Sequence, residues 1–212
     1  MSRFLLTLGD QDLILNDRYL KIRDTVILAD LHLGKTMHFR KAGMPIPPEA
    51  RDADQRNLMA LMEKETPSTV IVLGDLFHSV SNSECDELAM ITSQFPSVNF
   101  ELVLGNHDIL DPSIYRSIDF QTSQSKQIGQ LILTHEPQLE VMAGQINLHG
   151  HIHPGIRLIG RGRQSMLFPC FYLSGQHFCL PAFGALTGLM KTKPAKGDRV
   201  FAILDGEVAQ VF

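Results

Sequence analysis

The sequence predicts an α/β (α+β) fold in which two packed mixed β-sheets are flanked by helices, and three observations lead there. First, three apolar runs in the first half, Thr25-Val26-Ile27-Leu28-Ala29, Thr69-Val70-Ile71-Val72-Leu73 and Val98 to Leu104, each end in a short polar loop. The first is continuous rather than alternating, the mark of a strand covered on both faces. Second, beyond Asp111-Pro112 helix-length stretches give way to short apolar segments punctuated by Gly and Pro. Strand–helix units followed by a β-rich half fit two packed sheets with helices outside. Third, 212 residues, 44% hydrophobic and 20% charged, suffice for one sizeable core. No linker or low-complexity stretch divides the chain, so residues 1–212 are read as a single domain.

Taken in order, residues 3–7 and 18–22 read as short strands joined by a polar turn containing Asn16-Asp17. The run 25–29 is the first buried strand and ends at Asp30-Leu31-His32-Leu33-Gly34-Lys35. Pro45, Pro47 and Pro48 then break the chain and start a helix from Glu49 to Glu65, with Leu58, Leu61 and Met62 as its apolar stripe. The run 69–73 ends at Gly74-Asp75-Leu76-Phe77-His78, and a helix spans about 84–95. The third strand ends at Gly105-Asn106-His107-Asp108. Later strands are read at 127–134, ending at Thr134-His135-Glu136, and at 146–148, ending at His149-Gly150-His151-Ile152-His153. Further strands are read at 156–159, 166–173, 177–180, 200–204 and 208–212, the last two joined by the hairpin signal Asp205-Gly206.

Composition removes several classes of function. Cys85, Cys170 and Cys179 form no CxxC pair and are too few for a disulfide framework, which points to a reducing compartment. The N-terminal apolar run is too short for a signal peptide. Gln164 to Met190 carries no charged residue, yet Pro169, Pro181, Gly175, Gly184 and Gly188 cut it into strand-sized pieces, not a membrane span. A cytoplasmic location and no membrane association are expected. Residues 1–149 hold 12 Lys/Arg against 20 Asp/Glu, whereas residues 150–203 hold seven basic side chains against Asp198 alone. The overall charge of −4 excludes a general nucleic-acid coat but leaves a local basic face for an anionic substrate.

Five strand ends carry side chains suited to a divalent cation: Asp30-x-His32, Gly74-Asp75-x-x-His78, Gly105-Asn106-His107-Asp108, His135 and Gly150-His151-x-His153. Loops at the carboxyl ends of such strands are where open α/β sheets keep their chemistry. A mixture of imidazole, carboxylate and amide oxygen suits Mn, Fe, Zn or Co better than Ca or Mg. Gly74, Gly105 and Gly150 are read as points where the backbone turns sharply.

The order DxH, GDxxH, GNHD, H, GHxH resembles the calcineurin-like metallophosphoesterase superfamily across positions 30–153. Phe39-Arg40-x-Ala42-Gly43-x-Pro45-x-Pro47, Arg161-Gly162-Arg163, Leu167 to Phe171, Leu180 to Gly184 and Gly197-Asp198-Arg199-Val200-Phe201 resemble the bacterial ligase-associated DNA damage response endonuclease family over nearly the whole chain. The resemblance implies a four-layer αββα sandwich and two divalent metal ions, with Mn2+ foremost. It implies Asp30, His32 and His153 on one ion, Asn106, His135 and His151 on the other, and Asp75 bridging. Two cations about 3.5–4 Å apart can clamp the oxygens of an in-line phosphoryl displacement. His107 would then protonate the leaving oxygen or stabilise charge on phosphorus, and Asp108 would hydrogen-bond the His107 ring. It further implies a DNA substrate, a DNA-repair setting and a functional link to an ATP-dependent DNA ligase and a helicase.

Some assignments stay open at this level. His78 is either a phosphate contact or a partner of Asp75. Arg157, Arg161 and Arg163 either grip a phosphate backbone or belong to a solvated hairpin tip. The same metal core would serve a phosphomonoesterase or a small nucleotide or cyclic phosphodiesterase. A non-catalytic scaffold of this fold would have lost ligand positions, and here every one is filled.

Overall fold

The apolar runs become strands, and the way those strands pair decides where the polar loops end up. In the computed structural model, residues 3–35, 53–78, 82–160 and 162–212 are described. The first sheet has seven strands in sequence order: β1 (Phe4–Leu8), β2 (Gln11–Asn16), β3 (Tyr19–Ile22), β4 (Thr25–Ala29), β5 (Thr69–Leu73), β6 (Asn99–Val103) and β7 (Phe120–Ser123). The first four form antiparallel hairpins, and β4 to β7 run parallel. Ala29, Leu73 and Val103 lie level across β4, β5 and β6, so the three polar loops leave the same sheet edge side by side.

The second sheet has nine strands. They are β8 (Lys126–Ile128), β9 (Leu131–Leu133), β10 (Ile146–His149), β11 (Pro154–Ile159), β12 (Ser165–Ser174), β13 (His177–Cys179), β14 (Met190–Lys191), β15 (Arg199–Leu204) and β16 (Glu207–Gln210). Their path is β14-β11-β12-β13-β10-β9-β8, with β15 paired to β12 and β16. β9 and β10 are parallel, with Leu133 level with Leu148, so their polar loops also leave together.

Between the sheets Ile27, Ile71, Leu73 and Val103 meet Leu148, Phe171, Phe178 and Phe201, all fully buried. Burial of such side chains stabilises by about 1.5–3 kcal/mol each. The two sheets are therefore clamped, and groups borne on different sheets keep their spacing. On the outer face of the first sheet, Val70, Val72 and Leu102 pack against Leu58, Leu61 and Met62 of α1 (Ala53–Glu65) and Leu88 and Ile91 of α2 (Asn82–Thr92). Tyr115 of α3 (Pro112–Ser117) joins the same cluster. No described helix is long and apolar enough to cross a membrane.

The expected order of elements stands, with three differences. Residues 11–16 are a strand, not part of a turn. Leu13 and Leu15 are fully buried while Asp12 is exposed, an alternation flanked by Gly9 (φ 58°) and Asp17 (φ 45°), which make two hairpin turns where one was expected. The single strand expected over 127–134 is the hairpin β8–β9, reversed at Gly129 (φ 57°). Helix α3, β7 and the two-residue β14 were not anticipated, although Asp111-Pro112 is a helix start: the Asp111 carboxylate accepts from Ser113 N at 2.8 Å. The Phe39 to Pro47 motif and the proline-initiated start of the first helix lie outside the described residues.

At the sheet end away from the polar loops, Glu65 closes α1 with its side chain only 2% exposed. A carboxylate at a helix C-terminus is unfavourable, and here Arg3, Lys21 and Lys64 offset it at 3.3, 3.2 and 3.8 Å. Tyr19 OH donates to it at 2.9 Å and Asn16 Nδ2 at 3.3 Å. Burial alone would push the Glu65 carboxyl up, but the Tyr19 and Lys21 hydrogen bonds and the Arg3 charge bring it below its ordinary 4.5. A depressed carboxylate contributes stability above its unfolded value and loses it as pH falls. Glu65→Ala is expected to cost about 2–4 kcal/mol at neutral pH, because it strands Tyr19 and Asn16. Urea titrations should show that penalty shrinking as pH falls below 4.5. A penalty that did not change with pH would exclude the charged network.

Candidate metal centre

The five loops meet where the sheet edges face each other. From the first sheet come Asp30 after β4, Asp75 after β5 and Asn106 after β6. From the second come His135 after β9 and His151 and His153 after β10. Backbone bonds tie the loops together: Asp30 N donates to Gly74 O at 3.2 Å, His32 N to Asp75 O at 2.8 Å and Gly150 N to His135 O at 3.0 Å.

Two groups of donor atoms result, each within 4.8 Å: Asp30, His32 and His153, and Asp75, His135 and His151. In the first, His153 Nε2 lies 3.4 Å from Asp30 Oδ1. In the second, His135 Nε2 lies 3.0 Å from Asn106 Oδ1 and 3.1 Å from His151 Nδ1. Asp75 stands between them, with Oδ1 3.4 Å from His135 Nε2 and Oδ2 3.7 Å from His32 Nε2. One carboxylate thus shows one oxygen to each group.

The residues fit a pair of divalent cations. Both ring nitrogens of His32, and Nε2 of His153, are buried without a hydrogen-bond partner. Orphaned imidazole nitrogens are costly; a neutral ring carries one lone pair, and a cation is what that lone pair would satisfy. His32 is held neutral: burial first, then Lys35 and the neighbouring His153, His78 and His107 rings, bring its pKa down to about 3. His135 Nδ1 sits 3.0 Å from Leu73 O, which fixes the ring with its proton there and its Nε2 lone pair facing inward.

The local backbone is bent to achieve this. Asp30 (φ 53°), His32 (47°), Asp75 (52°), His151 (65°) and His153 (51°) all occupy the left-handed region, where L-residues are strained. The motif glycines differ in purpose. Only Gly74 (φ 71°) needs the conformation. Gly105 and Gly150 supply room instead of the expected sharp turn, since a Cβ would lie 2.6 Å from Asp75 Oδ1 and 2.6 Å from Asp30 Oδ2 respectively. Because the left-handed region costs a non-glycine roughly 1 kcal/mol, His153→Gly is expected to be about 1 kcal/mol more stable than His153→Ala when both are unfolded by urea in chelator. Equal stability would mean that residue 153 is relaxed in solution.

His107 is exposed beside the centre, its ring 6.0 Å from that of His32 and its backbone N–H donating to Asp75 Oδ1 at 3.2 Å. His78 lies on the same side, its ring 5.9 Å from His32. Asp108 departs from the expected placement. Its Oδ2 accepts from Asp75 N and Gly105 N, both at 2.8 Å, and its Oδ1 from Leu76 N at 2.9 Å. The tight turn sets its carboxylate on the backbone of the β5 loop, so its bonds brace backbone and not the His107 ring. Burial pushes its carboxyl up against those N–H bonds.

Arg157 and Arg163 are bonded away from the centre. Arg157 is exposed on β11, with Nη1 donating to Ser165 Oγ at 3.1 Å. Arg163 sits in the β11–β12 hairpin turn, its N–H donating to Gly160 O at 3.0 Å. Strand β11 rises away from His153 by roughly 20 Å before that turn. Arg161 lies outside the described residues. Sequence reasoning missed two supports. Phe183 N donates to Ala29 O and Gly184 N to Asp30 O, at 2.8 and 3.1 Å, backing the Asp30 turn from a distant segment. Asn147, fully buried, donates to Ile132 O and Thr134 Oγ1 and accepts from Gln138 N, holding the His135 loop. A buried polar residue between Ile146 and Leu148 was the only sequence signal.

Two carboxylates, four imidazoles and an amide oxygen around a shared bridge define a metal-dependent phosphoesterase, a hydrolase. The chain belongs to the calcineurin-like phosphoesterase family, whose model matches residues 24–165. Among solved structures it is similar to the Pseudomonas putida nuclease MPE, at 26% identity over 99% of this chain and 100% of that one, with a TM-score of 0.81. It overlaps more loosely with the Aquifex aeolicus protein AQ665, at 15% identity over 61% and 78% of the two chains, with a TM-score of 0.41. No curated protein matches the chain.

Proposed function

We propose that this phosphoesterase is a two-metal phosphodiesterase that cleaves DNA. The observation that carries the reading is Asp75, which offers one oxygen to each ligand group while its Oδ1 also accepts the His107 N–H. Bound divalent ions would supply Lewis acidity toward the phosphoryl oxygens and an activated water. Asp30, His32 and His153 would hold one ion, Asn106, His135 and His151 the other, and Asp75 both. Asn106 ligates without adding charge, so the centre stays electrophilic. His107, outside the ligand groups with its N–H on Asp75 Oδ1, would give a proton to the leaving oxygen. His78 would contact phosphate. The reading treats residues 1–212 as one domain, because neither sheet carries a complete ligand group alone.

Mn2+ is the ion proposed, and the mixed imidazole, carboxylate and amide donor set is compatible with Fe, Zn and Co as well. The DNA substrate is supported by similarity to a nuclease over nearly the full chain and by the sequence resemblance to the ligase-associated endonucleases. That resemblance also supports DNA repair alongside an ATP-dependent ligase and a helicase, and the unpaired cysteines support a cytoplasmic setting. Purified protein with Mn2+ would be assayed against bis-p-nitrophenyl phosphate, p-nitrophenyl phosphate, and single- and double-stranded DNA. Hydrolysis of the diester and of DNA is expected. Activity on the monoester alone would sink the reading.

A further inference from the structure

Two pockets at the metal centre are unlike. Beside Asn106 and His135 lies a polar pocket of about 390 Å³ walled by Gln124, Thr134 and Glu136. A second, smaller pocket of about 110 Å³, sharing Asn106 with the first, reaches His78 and His107 and is walled by Phe77, Ile109, Leu110 and Tyr115. Phe77 and Tyr115 are buried and give it a rigid floor, and Tyr115 OH accepts from Leu110 N at 3.4 Å. Ile109 is 78% exposed. A solitary exposed isoleucine needs no explanation. This one stands in a pocket wall two residues from His107, and its N–H donates to His107 O at 3.0 Å, so its Cβ is fixed beside that histidine.

We infer that this pocket seats the base of the leaving nucleoside, with Ile109 as the apolar contact to the base face. The inference rests on the phosphodiesterase reading. A leaving oxygen departs on the side where its proton donor stands. In a nucleic-acid strand the group just beyond that oxygen is a deoxyribose carrying a base, a flat body with apolar faces and a polar rim. The small pocket matches it with Ile109, Leu110 and Phe77 for the face and the His78 and His107 rings toward the rim.

The test uses single-stranded oligonucleotides with Mn2+, one intact and one with a tetrahydrofuran abasic residue at a single position. Cleavage is compared at the phosphate whose leaving nucleoside is the altered one. Wild type is expected to cut there about 5- to 10-fold more slowly when the base is missing, the scale of one apolar contact. Ile109→Ser should bring that ratio close to one. Because the ratio compares two substrates on one protein, a general loss of turnover does not disturb it; metal content and melting temperature verify that the variant is loaded and folded. A wild-type ratio of one, or a ratio that Ile109→Ser retains, overturns the inference while leaving DNA cleavage intact. Wild type that cleaves bis-p-nitrophenyl phosphate but no DNA removes the DNA reading and the inference with it.

Discussion

Asp75→Asn is expected to lower bound metal from two ions per chain to one or fewer and to cut turnover by at least about 10³-fold, equivalent to ~4 kcal/mol of transition-state stabilisation. The substitution is nearly isosteric. It keeps the backbone N–H that Asp108 accepts, and asparagine tolerates the left-handed conformation at φ 52° better than other non-glycine residues. The fold should survive. What it loses is the charge between two imidazole groups and one of the two oxygens facing them, now an NH2 that repels a cation. With Oδ1 3.4 Å from His135 and Oδ2 3.7 Å from His32, either amide rotamer spoils one group. Elemental analysis of protein loaded with Mn2+, beside turnover of bis-p-nitrophenyl phosphate, reads both effects. Unchanged two-metal occupancy would contradict the bridge.

The candidate ligands were legible in the sequence because of what parallel strands do. When Ala29, Leu73 and Val103 are level, a motif that begins at the end of an apolar run begins at the site. Asp30, Asp75 and Asn106 therefore needed only local pattern to be found, as did His135, His151 and His153. What failed was whatever depended on turn geometry or distant pairing. Asp108 follows His107 in sequence, yet the turn gives its carboxylate to the N–H groups of Asp75, Leu76 and Gly105. Residues 11–16 sit between two turns whose left-handed residues, Gly9 and Asp17, decide the pairing. The support that Phe183 and Gly184 lend to Asp30 comes from more than 150 residues away, and no periodicity announces it. Strand β7 is short and holds only Phe120 fully buried, so its apolar signal is weak.

His107→Ala is expected to lower turnover by about 10²–10⁴-fold with both metal groups still filled. The side chain is exposed and lies outside both ligand groups, so its removal creates no cavity and strands no cation. Because Asp108 is spent on three backbone N–H groups, it does not set the His107 tautomer. The bond from His107 N to Asp75 Oδ1 places its Cα relative to that carboxylate. Two roles then separate by leaving group. A proton donor matters little when p-nitrophenolate departs and greatly when a deoxyribose alkoxide does. A charge stabiliser at phosphorus matters for both alike. A loss on DNA about 10²-fold greater than on bis-p-nitrophenyl phosphate is the result expected of a general acid. Equal losses would reassign His107 to the phosphoryl oxygens, and full turnover on both substrates would leave the bridge and its ligands as the whole of the catalytic apparatus.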